Sequence, residues 1–251
     1  MGGAEFDGLP AWVTLLRAPN PGPMTLDGTN TWILRAPGEE VGVVIDPGPR
    51  DEHHLSRIAE HGPFRFILVT HGHHDHVEGA PRLSELLGGT PVRAAEAAHC
   101  VGAEPLTPDE QLTGYLRVLA TPGHTADSVC FLAGADGDRT MFTGDTILGR
   151  GTTVVAAPDG DLAAYLESLD LLAGFDGVPM LPGHGPARPD VADVARLYRE
   201  HRRERLAQVA AAMAAGADTP AKIVDRVYPD IEPGLRFAAE WSAAAQSNYL
   251  R

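Results

Sequence analysis

Thr70-His71-Gly72-His73-His74-Asp75-His76 follows directly on the apolar run Phe66-Ile67-Leu68-Val69. A short apolar run of this kind reads as a buried strand, so the histidines leave its C-terminal end. His71, His73, Asp75 and His76 are candidate ligands packed into one short loop, and Gly72 permits a sharp backbone path between the first two. His71 and His73 converge in an extended turn, whereas Asp75 and His76 fall at the start of the next helix and point elsewhere. That arrangement suits two adjacent metals rather than one. A string H-x-H-x-D-H has a chance expectation of roughly 0.002 in a chain of this composition. The bland alternatives, core histidines or a polar surface loop, explain it poorly.

Three further segments repeat the pattern. Val118-Leu119-Ala120 runs into Thr121-Pro122-Gly123-His124-Thr125. Met141-Phe142 runs into Thr143-Gly144-Asp145-Thr146, and Val178-Pro179-Met180 into Leu181-Pro182-Gly183-His184-Gly185. Each places a His or Asp just after a Gly at the end of an expected strand. One such residue alone is more often structural. Strand ends that converge on one edge assemble His71, His73, Asp75, His76, His124, Asp145 and His184, enough ligands for two metals. Imidazole and carboxylate donors suit two Zn²⁺ ions, and Mn²⁺ or Fe²⁺ fit the same cage. Two cations about 3.5–4 Å apart share a water, lower its pKa toward neutrality and polarise the attacked oxygen. The expected reaction class is hydrolysis. No Walker or Rossmann phosphate loop is present in the sequence, which argues against nucleotide-dependent transfer.

Around these motifs, short β-branched runs alternate with helical patterns, the signature of a mixed α/β domain. Strands are expected at 31–34, 41–45, 66–69, 92–94, 116–120, 128–132, 140–142 and 178–181, and helices at 52–60, 80–87 and 162–173. In the last helix Leu162, Tyr165, Leu166, Leu169 and Leu172 line one face, with Asp159 and Asp161 before it and Gly174 as its C-cap. After Pro189 the pattern is helical only. A long helix spans 191–215, its apolar face marked by Leu206, Val209 and Met213, with Arg199, Arg202, Arg203 and Arg205 on or near the other side. Thr219-Pro220 caps a short helix, and Pro233-Gly234 precedes a last one. Residues 1–189 therefore read as the catalytic domain and 190–251 as a helical appendage.

Composition bounds the rest. The 251 residues, 43% hydrophobic and 22% charged, can bury a globular core. The net charge of −14 disfavours a broad nucleic-acid footprint. It is concentrated in residues 1–185, with 10 basic and 25 acidic residues, against 10 basic and 9 acidic in 186–251. No apolar stretch is long enough for a membrane span, and Met1–Asp7 lacks the features of a signal peptide. Cys100 and Cys130 are isolated thiols, which fits a reducing, cytoplasmic setting.

Over about residues 12–190 the sequence resembles the metallo-β-lactamase superfamily, beginning with Asp46-Pro47-Gly48 and continuing through the four segments above. The resemblance implies a four-layer αββα sandwich with a dinuclear site at one edge. It also implies a partition: His71, His73 and His124 on one metal, Asp75, His76 and His184 on the other, Asp145 between them. Asp75 would orient the metal-bridging hydroxide, and His74 is not a ligand in the family pattern. Class B β-lactamases place a Cys where this chain has Asp145, so poor or absent β-lactamase activity is expected. The diiron oxygen reductases carry Glu where His73 stands. Glyoxalase II thioesterases share the metal pattern and a helical C-terminus.

A closer likeness is to the β-lactamase-like group that includes a mitochondrial endoribonuclease. It is carried by Asn20-Pro21-Gly22-Pro23-Met24-Thr25-Leu26, Gly28-Thr29-Asn30-Thr31, Gly160-Asp161-Leu162 and the tail from His201-Arg202. The Asn20–Thr31 loop would lie beside the metals, and residues 146–160 are a candidate specificity loop. The tail resembles a winged-helix-like appendage truncated before its β-wing. Two enzymes fit: a hydrolase of small-molecule esters or thioesters, favoured by the acidic body, and a single-strand-specific endoribonuclease that would use the long helix's arginines on single-stranded RNA.

Overall fold

The computed structural model describes residues 8–134 and 138–251. Met1–Asp7, expected to be no signal peptide, lies outside the described residues. The first half of the chain carries β1 (Val13–Arg17), β2 (Asn30–Leu34), β3 (Gly42–Ile45), α1 (Glu52–Ala59), β4 (Phe64–Leu68), α2 (His74–Val77), α3 (Ala80–Leu86) and β5 (Val92–Arg93). Then come β6 (Gln111–Thr113), β7 (Leu116–Ala120), β8 (Val129–Ala133), β9 (Thr140–Gly144), α4 (Leu162–Leu172) and β10 (Met180–Pro182). The tail is α5 (Val191–Ala214), α6 (Pro220–Val227) and α7 (Arg236–Tyr249).

Strands β1 to β5 form one sheet in chain order, and β10-β9-β8-β7-β6 form the other. Side-chain alternation sorts them into layers. Trp32, Leu34, Val43, Ile45 and Leu68 of the first sheet pack on Val118, Phe131, Phe142 and Leu181 of the second. The intervening Ile33, Val44 and Ile67 turn the other way, onto Leu55 and Ile58 of α1 and Leu83 of α3. Leu119, Cys130, Met141 and Met180 turn onto Tyr165 and Leu169 of α4 and Val194 and Tyr198 of α5. The result is helix, sheet, sheet, helix. β3, Gly42-Val43-Val44-Ile45, is buried along its whole length and reads as an unbroken apolar run, whereas the equally buried β2 and β9 carry Asn30, Thr31, Thr140 and Thr143.

The sheets are also joined by hydrogen bonds at one edge. Trp32 Nε1 and Asn30 Nδ2 both donate to the Pro182 carbonyl at 3.0 Å. The Asn30 amide donates to Gly183 O at 2.8 Å and the Val129 amide to Thr70 O at 2.9 Å. These bonds tie β2 to the end of β10 and the end of β4 to the start of β8.

Two strands, β1 and β6, were not expected. Both are edge strands of their sheets. β1 alternates between buried and more exposed positions, so it lacks the continuous apolar run of the central strands. The α4 helix is capped by Asp161, whose carboxylate accepts from the Ala164 amide at 2.7 Å. Gly174 follows it without the left-handed backbone of a glycine C-cap.

Helix α5 starts at an Asp190 cap and passes from the main core at Val194 and Tyr198 to a second cluster at Val209 and Ala212. There it meets Ile223 and Val224 of α6 and Ala243 of α7. Among the described residues no strand follows Pro182, and the tail there is helical. Arg202 departs from the expected outward row. It is only 4% exposed, with its guanidinium 5.3 Å from the Tyr165 ring centroid. No helix of the described residues is long and apolar enough to cross a membrane.

Candidate metal centre

All seven residues named from the strand-end motifs meet at the joined edge. His71 and His73 leave β4, Asp75 and His76 lie on α2, His124 follows β7, Asp145 follows β9 and His184 follows β10. His73 Nδ1 lies 3.1 Å from His71 Nε2 and 3.0 Å from His124 Nε2. In the second group His76 Nε2 and His184 Nε2 are 3.2 Å apart. Asp75 Oδ2 is 3.3 Å from the first of these and 3.1 Å from the second. Asp145 reaches both groups: its Oδ2 is 3.3 Å from His184 Nε2 and 3.9 Å from His124 Nε2, and its Oδ1 is 3.5 Å from His76 Nε2. His74 is exposed on the outer side of α2.

The ring nitrogens facing away from this centre decide its chemistry. His124 Nδ1 contacts the Val154 carbonyl at 2.8 Å, and His184 Nδ1 contacts the Gly28 carbonyl at 3.3 Å. A carbonyl only accepts, so each Nδ1 carries the proton. His76 Nδ1 lies 2.8 Å from Asp46 Oδ2. That carboxylate also accepts the Thr70 hydroxyl at 2.8 Å, so the Thr70 oxygen is left to accept from His71 Nδ1 at 3.0 Å. These four imidazoles therefore hold a proton on the outer Nδ1 and aim Nε2 inward, where His73 adds its Nδ1. Converging lone pairs with protons fixed on the outer nitrogens are what a metal requires.

The electrostatics divide the imidazoles, two pushed toward the neutral form by burial and two toward the charged form by the carboxylates beside them. Burial lowers the pKa of His71, and burial takes that of His124 down to about 4. For His76 burial opposes the charge, but Asp75, Asp145 and Asp46 outweigh it and raise the pKa. Burial likewise opposes charge on His184, yet Asp145 and Asp75 raise it to about 9. Burial also works against both carboxylates, and the neighbouring imidazoles still hold Asp75 and Asp145 well below the usual range.

Two glycines matter through the space they leave. A Cβ on Gly183 would stand 2.4 Å from Asp145 Oδ1 and 2.7 Å from His76 Cε1. A Cβ on Gly72 would stand 2.5 Å from His99 Nε2, so close approach rather than a left-handed turn explains this glycine. The Asn20–Thr31 loop does lie beside the centre. Thr29 Oγ1 donates to Asp75 Oδ2 at 3.1 Å, and the Asn20 side chain brackets Thr29 through its hydroxyl at 3.0 Å and its amide at 2.9 Å. Sequence reading singled out that loop but not these hydroxyls. Nor did it find the supporting parts of Asp46 and Thr70.

Two cavities open on the centre. One of about 220 Å³ is lined by His73 and His124 together with Met24, Val154, Pro158 and Trp241. The other, of about 360 Å³, runs from His124 and Asp145 past Arg150 and Thr153 to the tail helices. Residues of the 146–160 segment thus border both.

A family model described as metallo-beta-lactamase superfamily matches residues 24–115 and 104–184. A beta-lactamase-like protein 2 homolog of Caenorhabditis elegans is 31% identical over 245 residues, covering 90% of this chain and 80% of its own. An atrochrysone carboxyl ACP thioesterase of Aspergillus fumigatus is 35% identical over 193 residues, covering 72% of this chain and 58% of its own. Among solved structures, a beta-lactamase domain protein from Burkholderia ambifaria superposes with a TM-score of 0.80 at 26% identity, covering 97% of this chain and 89% of its own. The chain belongs to the metallo-beta-lactamase superfamily, as one of its metal-dependent hydrolases.

Proposed function

We propose that this chain is a dinuclear zinc hydrolase of small-molecule esters or thioesters. His71, His73 and His124 hold one ion, Asp75, His76 and His184 the second, and Asp145 serves both. The donor set fits the metal. Ligand atoms around one Zn²⁺ with bonds of about 2.0–2.1 Å stand about 3.3 Å apart in a tetrahedron. Here His73 Nδ1 stands 3.0–3.1 Å from its two partners in the first group, and the second group's inward atoms are 3.1–3.3 Å apart. Asp145 Oδ1 is in addition buried without a hydrogen-bond partner among the described residues.

Bound there, two metals supply an activated water and a Lewis acid for the scissile carbonyl. The chain's own residues do the rest. Asp75, fixed by the Thr29 hydroxyl, is the catalytic carboxylate that orients the attacking water. Val154 and Gly28 hold two of the imidazoles through their carbonyls. The larger cavity, part polar and part apolar, receives the acyl or leaving portion. The thioesterase among the relatives supports this substrate class. Cytoplasmic residence goes with the reading, since Cys100 and Cys130 are both free and Cys130 is buried.

The observation that carries the reading is the convergence of five imidazoles and two carboxylates on one point beside a cavity. The endoribonuclease alternative keeps one support. Phe237 and Trp241 form an exposed edge-to-face pair with centroids 5.1 Å apart, and Trp241 lines the smaller cavity, where a base would stack. Against it, Arg199 and Arg203 are engaged by Asp170 and Glu200, and Arg202 is buried. The test offers the zinc-loaded protein acyl thioesters and end-labelled single-stranded RNA, with Asp75→Ala as control. Thioester cleavage by the wild type alone is expected. RNA cleavage without thioester cleavage would replace this function by the nuclease.

A further inference from the structure

We propose that the larger cavity contains a subsite, built on Arg205 and Arg202 of α5, for an anionic group carried by the substrate away from its scissile bond. This rests on the hydrolase reading and narrows its substrate to an acyl compound bearing a second carboxylate or a phosphate. The cavity of about 360 Å³ has His124 and Asp145 at one end and His201, Arg202, Arg205 and Tyr228 in its wall. The metal centre and the arginines therefore face one continuous space.

The arginines of α5 divide into two kinds. Arg196, Arg199 and Arg203 pair with Asp176, Asp170 and Glu200 on the surface. Arg202 and Arg205 have no carboxylate within ion-pairing distance among the described residues, in a chain of net charge −14. Arg202 is 4% exposed, donates to the Thr153 carbonyl and keeps its Nε buried without a partner. Arg205 lies with its guanidinium 4.5 Å from the Tyr228 ring centroid and donates to Gln208 Oε1 at 2.8 Å. His201 adds a buried Nδ1 that also lacks a partner.

The buried Arg202 guanidinium without a counter-ion is costly unless something anionic completes it, and the half-buried Arg205 stands beside it. Nothing in the described chain does so, and both residues line the cavity. Aromatic stacking on Tyr165 and Tyr228 holds the two planes in place for an oxyanion. Ile231, Leu235 and Ala238 line the same space and suit the hydrocarbon between the two functional groups.

The experiment uses the zinc-loaded full chain and 4-nitrophenyl esters of equal acyl length ending in methyl, carboxylate or phosphonate. A charge-assisted contact of this kind predicts a KM lower by roughly tenfold or more for an anionic ester than for its neutral match. That ratio should collapse toward one in Arg205→Met and be partly kept in Arg205→Lys. A gain with either anion, lost in Arg205→Met, sustains the subsite and says which group is carried. Equal KM values for neutral and anionic esters, or a preference untouched in Arg205→Met, overturn it while leaving the hydrolase standing. Calorimetric titration with a dicarboxylate and a monocarboxylate of equal length decides the matter without turnover. If no ester is cleaved, the hydrolase reading fails, and the subsite then stands or falls on whether the wild type prefers the dicarboxylate and Arg205→Met does not.

Discussion

Replacing Asp46 by Asn tests the tautomer network that the centre depends on. Asp46 is buried, and its carboxylate accepts the Thr70 amide, the Thr70 hydroxyl and His76 Nδ1, each at 2.8 Å. Asn keeps the shape and can still accept the Thr70 amide through Oδ1. Its NH₂ then occupies the place of Oδ2 and donates where the carboxylate accepted. His76 must respond by moving its proton to Nε2, the atom that faces Asp75 and His184. Thr70 must turn its hydroxyl toward His71 Nδ1, which pushes the His71 proton to Nε2 as well. One isosteric change thus masks a ligand atom in each group. Loss of such a supporting partner costs about 10–100-fold in metal affinity. Losing the charged hydrogen bonds costs about 1.5–3 kcal/mol of stability. Competition with a chromophoric chelator should show both metals weakened, and ¹⁵N NMR of the imidazoles in the metal-free protein should show the proton of His71 moved from Nδ1 to Nε2. A folded Asp46→Asn protein that binds two metals within about threefold of wild type would refute the reasoning.

Gly183→Ala would drive a methyl group against Asp145 Oδ1 and His76, at 2.4 and 2.7 Å in the present geometry. Overpacking of this kind costs about 1–3 kcal/mol, and zinc content measured after dialysis should fall below the wild-type value. Thr29→Val removes the donor to Asp75 Oδ2 and leaves the Asn20 amide unpaired. Ester kcat/KM should drop roughly tenfold with zinc content unchanged. His54 lies off the centre, donating through Nε2 to the Thr31 hydroxyl at 2.9 Å because that hydroxyl itself donates to Asp46 O at 2.7 Å. Burial, helped by Arg57, lowers its pKa to about 4. The unfolded chain takes up the proton first, so stability is full above pH about 6.5 and is lost as pH falls toward 4, by about 3 kcal/mol in all. Urea unfolding of His54→Gln should lack that part of the acid slope.

The ligand residues were legible because the fold puts chemistry at strand ends. A buried strand is an apolar run, so a Gly followed by His or Asp at its end stands out, as at Gly123-His124 and Gly183-His184. The short one-sided strands β1 and β6 offered no such contrast. Arg202 was misjudged through its charge. It lies four residues after Tyr198 and seven before Val209, on the stripe that α5 buries, and its place is explained by Tyr165 rather than by composition. Thr29 and Thr70 were illegible for another reason. Each acts through a single hydroxyl whose partner is distant in sequence or set by a tautomer, and spacing carries no trace of either.

Zinc titration of the metal-free protein, with thioester hydrolysis followed at each addition, tests the dinuclear assignment most directly. Two triads sharing Asp145 predict turnover that rises until two equivalents per chain are bound and then levels off. Full activity at one equivalent, or none at two, would contradict it.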